Sequence, residues 1–178
     1  MIEIRWHGRG GQGAFTAAKI LGASASLFED KFALAFPSFG PERRGAPIQS
    51  FTKIDDKKII DRSEIRKCDY IVLLDESLFD KSYIDDLKPK GKVIINSTHS
   101  EKYEKYSKDV VIFDATGIAL NILKRPTTNT AMIGALIGIS GILSIEAVIS
   151  GSENYLKGSV LEKNREVIIA SYNKVRGE

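Results

Sequence analysis

Four glycines and an arginine lie close together near the start of the chain, in the run Gly8-Arg9-Gly10-Gly11-Gln12-Gly13. Gly8, Gly10 and Gly13 have the spacing of a dinucleotide-binding turn. Glycines at this spacing allow a tight turn and bring backbone N–H groups close to a phosphate, which the positive end of the following helix also attracts. Arg9 would add a charge-assisted contact to the same anion. The run therefore predicts a phosphate-binding turn, although four glycines also suit tight packing of a helix on a sheet.

A second candidate for anion binding is the loop over residues 36–47, which holds three prolines, two glycines and the adjacent pair Arg43 and Arg44. The prolines make such a loop stiff, and a guanidinium group that is already positioned loses less entropy when it binds a phosphate or a carboxylate. We expect this loop on the same edge of the sheet as the glycine turn, so that Arg9, Arg43 and Arg44 converge on one polyanion. The alternatives are two solvated arginines or an interface ion pair with Glu42.

A nicotinamide cofactor would require an acidic residue at the end of the second strand, where it binds the ribose hydroxyl. Glu29 and Asp30 precede that predicted strand, and its end reads Phe36-Pro37-Ser38. The sequence therefore disfavours NAD. NADP remains an alternative because Arg43 or Arg44 could take the place of the acid.

No pair of a nucleophile and a base is evident in the sequence. His7 adjoins the glycine turn, but a single histidine at the end of a strand is more often structural than catalytic. Cys68 precedes a predicted core strand and is expected to be buried and inert. His99 has no partner that the sequence identifies. The pattern indicates a binding scaffold without catalytic groups.

Composition narrows the class further. The chain has 178 residues, 26 basic and 23 acidic side chains and 43% hydrophobic residues, which is typical of one globular domain over residues 1–178. One cysteine and two histidines cannot form a disulfide, a zinc site or a four-cysteine iron–sulfur site. Basic residues alternate with acidic ones, which argues against nucleic acid as a partner. No signal peptide is visible, so we expect a cytoplasmic protein.

The apolar runs predict an α/β fold with an open, mostly parallel, Rossmann-like sheet. Strands are predicted over residues 2–6, 32–36, 70–74, 93–95 and 110–113, and a helix over residues 14–28. Together, the first two strands and this helix form a βαβ unit. Residues 48–54 and 58–60 flank Asp55-Asp56 and predict a β-hairpin at one edge of the sheet.

The last third of the chain is predicted to be helical. Residues 129–143 are nearly all apolar and include Gly134 and Gly138. This pattern predicts a buried core helix or, alternatively, a subunit interface, since small residues four apart allow another helix to approach closely. The apolar run is too short to span a membrane. A final amphipathic helix is predicted over residues 160–175.

Four stretches in this order resemble the gamma subunits of the 2-oxoacid:ferredoxin oxidoreductases, most closely those of the pyruvate type, over essentially the whole chain. Two of these stretches are residues 4–13, which contain the glycine turn, and residues 35–47, which contain the two arginines. The other two are Asp114-Ala115-Thr116 and Asn129-Thr130-Ala131-Met132-Ile133-Gly134-Ala135-Leu136. A glycine turn alone would be weak evidence, but the combination is specific.

The resemblance implies a subunit of an enzyme that oxidatively decarboxylates a 2-oxoacid, passes electrons to ferredoxin and transfers the acyl group to coenzyme A. It implies that thiamine diphosphate, magnesium and the iron–sulfur clusters belong to alpha, beta and delta partner subunits, and that this chain alone is inactive. It also implies a coenzyme A site on this chain. We expect Arg9, Arg43, Arg44 and the turn to bind its phosphates, with Asn129 and Thr130 facing the ligand or a neighbouring subunit. A purely architectural subunit, or a free NADP-dependent reductase, are the alternatives.

Overall fold

The computed structural model describes residues 1–38 and 44–178, and six strands are present in those ranges. They are β1 (Ile2–Arg9), β2 (Phe32–Pro37), β3 (Pro47–Asp55), β4 (Cys68–Leu73), β5 (Leu87–Asn96) and β6 (Val110–Phe113). The strands form one sheet in the order β2-β3-β1-β4-β5-β6. Strands β1, β4, β5 and β6 pair in parallel, whereas β3 is antiparallel to both of its neighbours, β1 and β2.

Most of the helical structure follows β6. The helices are α1 (Ala14–Phe28), α2 (Ser82–Asp85), α3 (Ala115–Leu123), α4 (Asn129–Ser140), α5 (Ile145–Ser152) and α6 (Gly158–Arg176). Two short 3-10 helices cover Glu76–Leu78 and Ser100–Tyr106. Within the described ranges, no helix combines the length and the apolar character needed to cross a membrane. The predicted α/β class, the mostly parallel sheet and the helical C-terminal third are confirmed.

The predicted hairpin is wrong in its second strand. Residues 47–55 do form a strand, β3, in the antiparallel part of the sheet. Residues 58–60 do not form a strand. The reason is that β1 and β2 already occupy both edges of β3. Residues 56–67 cross one face of the sheet instead. There Asp61 accepts a hydrogen bond at 2.6 Å from the Nζ of Lys53, a lysine that is itself fully buried.

The βαβ unit also differs from the expected arrangement. β1 and β2 run in the same direction, but β3 lies between them. β3 follows β2 in the sequence but pairs with β1, so it lies inside the predicted βαβ unit.

The two faces of the sheet are covered differently. Helices α1, α4 and α6 cover one face, where Ile4, Trp6 and Ile94 are fully buried among apolar side chains. The other face carries Arg5, His7 and Lys53, which are buried under shorter segments of chain. The buried ionisable side chains therefore lie on the face of the sheet that the long helices do not cover.

Close packing between α4 and α6 favours the interpretation of α4 as a core helix. A Cβ added to Gly134 would lie 2.4 Å from the carbonyl oxygen of Ile168, and one added to Gly138 would lie 2.8 Å from the carbonyl oxygen of Tyr172. Residues 129–137 are all buried. The small residues therefore serve close approach of a helix from the same chain.

Candidate functional site

The glycine turn lies where β1 passes into α1. Gly11 has a φ of +97° and Gly13 a φ of +82°, conformations that residues with a Cβ adopt only with strain. Gly13 is also the residue that precedes the first turn of α1. These two glycines are therefore required by the backbone, and their N–H groups lie at the positive end of the helix.

Asn129, the first residue of α4, packs directly against this turn. A Cβ at Gly13 would lie 2.6 Å from its Nδ2. That amide nitrogen lies 3.5 Å from the carbonyl oxygen of Gly13. The N-termini of α1 and α4 thus meet, and neither helix has an acidic residue in its first turn. Both positive helix ends point towards the same edge of the sheet, which favours an anion there.

Arg9 is present at this edge, but its guanidinium group is already bound. Its Nε donates to Asp75 Oδ2 at 2.9 Å, its Nη2 to Ser77 Oγ at 2.8 Å and its Nη1 to the Gly45 carbonyl at 3.1 Å. Burial alone would raise the pKa of Asp75, but hydrogen bonds from Ser77, Arg9 and Gln12 lower it overall. Arg9 therefore joins the end of β1 to the segment after β4.

The arginine loop returns to the glycine turn. The Gly10 amide donates to the Ala46 carbonyl at 2.9 Å, and the Gly45 amide donates to the Gly10 carbonyl at 3.1 Å. Arg44 is therefore attached to the turn through its neighbour Gly45, and it is exposed. Arg43 lies outside the described residues. Gly10 and Arg44 thus share one edge, as the sequence predicts.

Thr130 is placed differently from the other predicted binding residues. It is only 1% exposed, and its Oγ1 donates to the Oδ1 of Asn164 at 2.6 Å. The hydroxyl therefore points into the contact between α4 and α6. The proposed role of Thr130 beside a ligand remains a prediction.

A cavity of about 730 Å³ lies beside the glycine turn, at the carboxyl ends of β4, β5 and β6. In an open α/β sheet this edge is the usual place for a ligand. The polar groups that line the cavity come from five segments of chain: Gln12, Asp75, Glu76, Asn96, Ser97, Thr98, His99, Asp114, Thr116 and Thr128. We call the glycine turn, Arg9, residues 44–46, Asn129 and this cavity the carboxyl-edge site.

Asn96 organises the cavity, and the sequence pattern does not identify it as a site residue. Its Nδ2 donates to the Leu74 carbonyl at 2.9 Å, and its Oδ1 accepts from the amides of Ala115 and Thr116 at 3.1 Å. It therefore holds the start of α3 against the end of β4. A signal for it exists, because Asp75, Asn96 and Asp114 each lie at or just after the end of a strand of the parallel sheet.

His7 and Cys68 are both buried away from the cavity. His7 is 3% exposed and its ring stacks on Tyr83 with centroids 4.6 Å apart. Burial, assisted by the charge of Arg5, lowers the pKa of His7 to about 3. Burial raises the pKa of Cys68 to about 11. The histidine is therefore neutral and the cysteine protonated near pH 7, in agreement with the structural roles expected for both.

His99, in contrast, has a partner that the sequence does not reveal. Its Nδ1 lies 3.2 Å from the carboxylate of Glu76, which also accepts hydrogen bonds from Ser97 and Lys102. The Ser97 hydroxyl accepts from the His99 amide rather than facing the imidazole. This arrangement supplies no activated hydroxyl nucleophile, since the histidine does not contact the serine oxygen through its ring.

The sheet order weighs against a dinucleotide cofactor. In a dinucleotide-binding fold the ribose is held by a residue at the end of the strand next to the glycine turn. Here β3 separates β1 from β2, so the end of β2 is displaced from that position. The carboxyl-edge site therefore differs from a nicotinamide site.

Comparisons with known proteins agree with one another. A family model described as pyruvate ferredoxin/flavodoxin oxidoreductase matches residues 3–174. The chain is 47% identical to the pyruvate synthase subunit PorC of Methanocaldococcus jannaschii, covering 98% of this chain and 97% of that protein. It is also 47% identical to the pyruvate/ketoisovalerate oxidoreductases common subunit gamma of Thermococcus kodakarensis, over 98% of this chain and 97% of that one.

The crystal structure of the pyruvate oxidoreductase subunit PORC of Thermotoga maritima superposes with a TM-score of 0.83 at 32% identity. The alignment covers 97% of this chain and 95% of that one. The similarity therefore extends over the whole sheet and its helices.

Proposed function

Because the chain belongs to the pyruvate ferredoxin/flavodoxin oxidoreductase family, we propose that it serves as the gamma subunit of a 2-oxoacid:ferredoxin oxidoreductase and holds coenzyme A at its carboxyl-edge site. The names of the relatives include pyruvate and ketoisovalerate, which are both 2-oxoacids. The substrate class of the complex is therefore a 2-oxoacid. In this proposal the partners of the chain are alpha, beta and delta subunits, and ferredoxin accepts the electrons.

The carbon and electron chemistry is assigned to the partner subunits. Thiamine diphosphate and magnesium supply the decarboxylation there, and iron–sulfur clusters supply electron transfer. The residues of this chain do not fit a cluster, since Cys68 is its one cysteine and is buried at the start of β4. What remains for this chain is a structural role beside the active site, together with binding of the acyl acceptor coenzyme A.

The observation that carries the coenzyme A proposal is the pair of backbone hydrogen bonds between Gly10 and residues 45–46. They join the residues next to Arg44 to the glycine turn that precedes α1, and Asn129 at the start of α4 packs against Gly13 of the same turn. Coenzyme A carries three phosphate groups, which a guanidinium group and two positive helix ends attract together. Neither first turn contributes a carboxylate that would repel them.

Individual residues have different roles in this proposal. The turn amides and Arg44 hold phosphate oxygens. Arg9 is a positioning residue, because its three hydrogen bonds to Asp75, Ser77 and Gly45 fix the arginine loop. The adjacent cavity of about 730 Å³ takes the uncharged part of the ligand, because its lining combines hydroxyl and amide groups with the carboxylates of Asp75, Glu76 and Asp114.

An architectural role is the second candidate, and one observation favours it. Arg9 is occupied by Asp75 in this chain and offers no free charge to a phosphate. If Arg44 is likewise taken up by a neighbouring subunit, the edge would serve assembly and not ligand binding.

The two candidates are separated by Arg44→Ala in the assembled complex. A charge-assisted hydrogen bond contributes at least about 1.5 kcal/mol to binding. Its loss should therefore raise the KM for coenzyme A about tenfold, with little change in kcat. Arg62→Ala is a control, because Arg62 is exposed and belongs to the segment between β3 and β4. An unchanged KM, or a complex that no longer assembles, contradicts the coenzyme A role of Arg44.

A further inference from the structure

Strand β2 is an edge strand whose outer side has no backbone partner in residues 1–38 or 44–178. The amide of Ser38 donates to the carbonyl of Gln49 at 2.9 Å. Because residues of an antiparallel pair alternate between bonding the neighbouring strand and facing away from it, this bond shows which residues of β2 bond to β3. Phe32, Leu34 and Phe36 therefore exchange hydrogen bonds with β3. Ala33 and Ala35 point their N–H and C=O groups away from the sheet.

Within the described residues, Pro37 at the end of β2 is the one feature that protects this edge against association. Residues 32–36 are all apolar, and no charge interrupts them. Leu27, Phe28 and Phe32 beside it are 60%, 48% and 48% exposed. Edge strands of stable monomers usually carry a charged residue or a bulge, or are covered by other chain. An apolar edge of this kind is a template for pairing with another chain.

The sequence of β2 suits pairing with a second copy of itself. Phe32-Ala33-Leu34-Ala35-Phe36 reads the same in both directions. We propose that β2 pairs with β2 of a second copy of this chain, antiparallel and about a two-fold axis through Leu34. The two sheets then continue into one sheet of both copies.

The hydrogen bonds match in this register. Ala33 of one copy lies opposite Ala35 of the second copy, and both residues present their free N–H and C=O groups to each other. Each of the two Ala33–Ala35 pairs exchanges both of its bonds. Pro37, which has no N–H, lies opposite Lys31, whose own N–H already donates to the Ala25 carbonyl at 3.2 Å. The pairing therefore leaves no strand donor without an acceptor.

Charge does not oppose the pairing along the strand itself. No like charges oppose each other along residues 32–37, since the strand carries none. Just before the strand, the ammonium group of Lys31 is already paired with Asp56 of its own chain at 2.7 Å.

Both faces of the paired strands accommodate a second copy. On the helix face, a Cβ added at Gly22 would lie 3.4 Å from that of Ala35. A groove of about 400 Å³ lies beside β2 and is lined by Lys19, Gly22, Ala23, Ser26, Leu27, Ala33, Ala35 and Tyr155. This groove leaves room for side chains of the second copy. On the other face, Phe32 lies opposite Phe36 of the second copy, an aromatic cross-strand pair.

The test uses single cysteines in the full chain and in the assembled complex. Leu34→Cys places two thiols directly opposite each other across the axis, at the separation of about 4.5 Å between Cα atoms that allows a disulfide. Phe32→Cys is the matched control, because the two Cys residues would be four positions apart, about 13 Å. The native Cys68 is buried and does not interfere.

We expect the full chain to sediment as a dimer and Leu34→Cys to form a disulfide-linked homodimer under mild oxidation, alone and in the complex, at least tenfold faster than Phe32→Cys. Equal cross-linking of both variants overturns this register. A monomer that Leu34→Cys does not cross-link, or a cross-link from residue 34 to a different subunit, overturns the second copy as the occupant of β2.

Discussion

The guanidinium group of Arg9 and the carboxylate of Asp75 join the ends of two neighbouring parallel strands, with Nε and Oδ2 2.9 Å apart. The side chains of Arg9 and Asp75 are 37% and 21% exposed, so solvent screens much of their attraction. The pair contributes mainly by positioning Arg9, because the same guanidinium group donates a hydrogen bond to the carbonyl of Gly45. Arg9 thereby connects the glycine turn, the segment after β4 and the arginine loop.

Asp75→Asn should distinguish a positioning role of Arg9 from direct phosphate binding. If Arg9 positions the loop, weakening its anchor should raise the KM for coenzyme A about threefold and lower the free energy of unfolding by less than about 1 kcal/mol. If Arg9 binds phosphate itself, removing the adjacent negative charge should lower the KM instead. Steady-state kinetics of the complex and urea unfolding measure both quantities, and Asp85→Asn, at an exposed carboxylate, is the control.

His7 should make the stability of the chain depend on pH. Burial holds its pKa at about 3 in the folded chain, against 6.5 for an ordinary histidine, so between these two values the unfolded state binds the proton first. The free energy of unfolding should therefore fall by up to about 1.4 kcal/mol for each unit of pH below 6.5, until about pH 3.

The contribution of His7 is isolated by comparing variants. His7→Gln should have a flatter dependence of unfolding free energy on pH than the parent chain in urea titrations between pH 4 and pH 7. Identical slopes for the parent and His7→Gln would show that burial of His7 has no such effect.

Gly13→Ala should be more harmful than a substitution at an equally left-handed glycine in open space. Gly177 has a φ of +77° with no neighbour near its Cβ, so Gly177→Ala should cost about 1 kcal/mol of backbone strain. Gly13→Ala adds a contact of 2.6 Å with Asn129 and should cost about 2 kcal/mol or more. Denaturant unfolding measures both, and equal losses would mean that Asn129 moves aside freely.

Local patterns in the sequence predict the elements of this fold well, and long-range pairing limits the rest. α1 begins and ends where its pattern indicates, because the glycine turn and the apolar spacing are local signals. The pattern around β3 predicts the wrong partner for that strand, since its neighbours come from residues 2–9 and 32–37. Nothing in the residues around β3 specifies that choice.

In the candidate site, too, local features are predictable from the sequence and long-range contacts are not. The meeting of Gly10 with residues 45–46 agrees with the predicted edge, because strands of one direction end on one side of a sheet. The occupation of Arg9 by Asp75 depends on a contact between residues 66 positions apart, and the pattern of residues contains no sign of it. Asn96 is visible in the sequence as the end of a strand, but its hydrogen bonds with Leu74, Ala115 and Thr116 are not.

The glycine contact between α4 and α6 has a consequence for synthesis of the chain. Helix α4 is buried from residue 129 to 137, and much of its cover comes from a helix that leaves the ribosome later. Until Gly158–Arg176 has emerged, the apolar surface of α4 has no backbone close enough to exclude water at Gly134 and Gly138. Nascent chains that stop before residue 158 are thus the ones that a chaperone would need to shield.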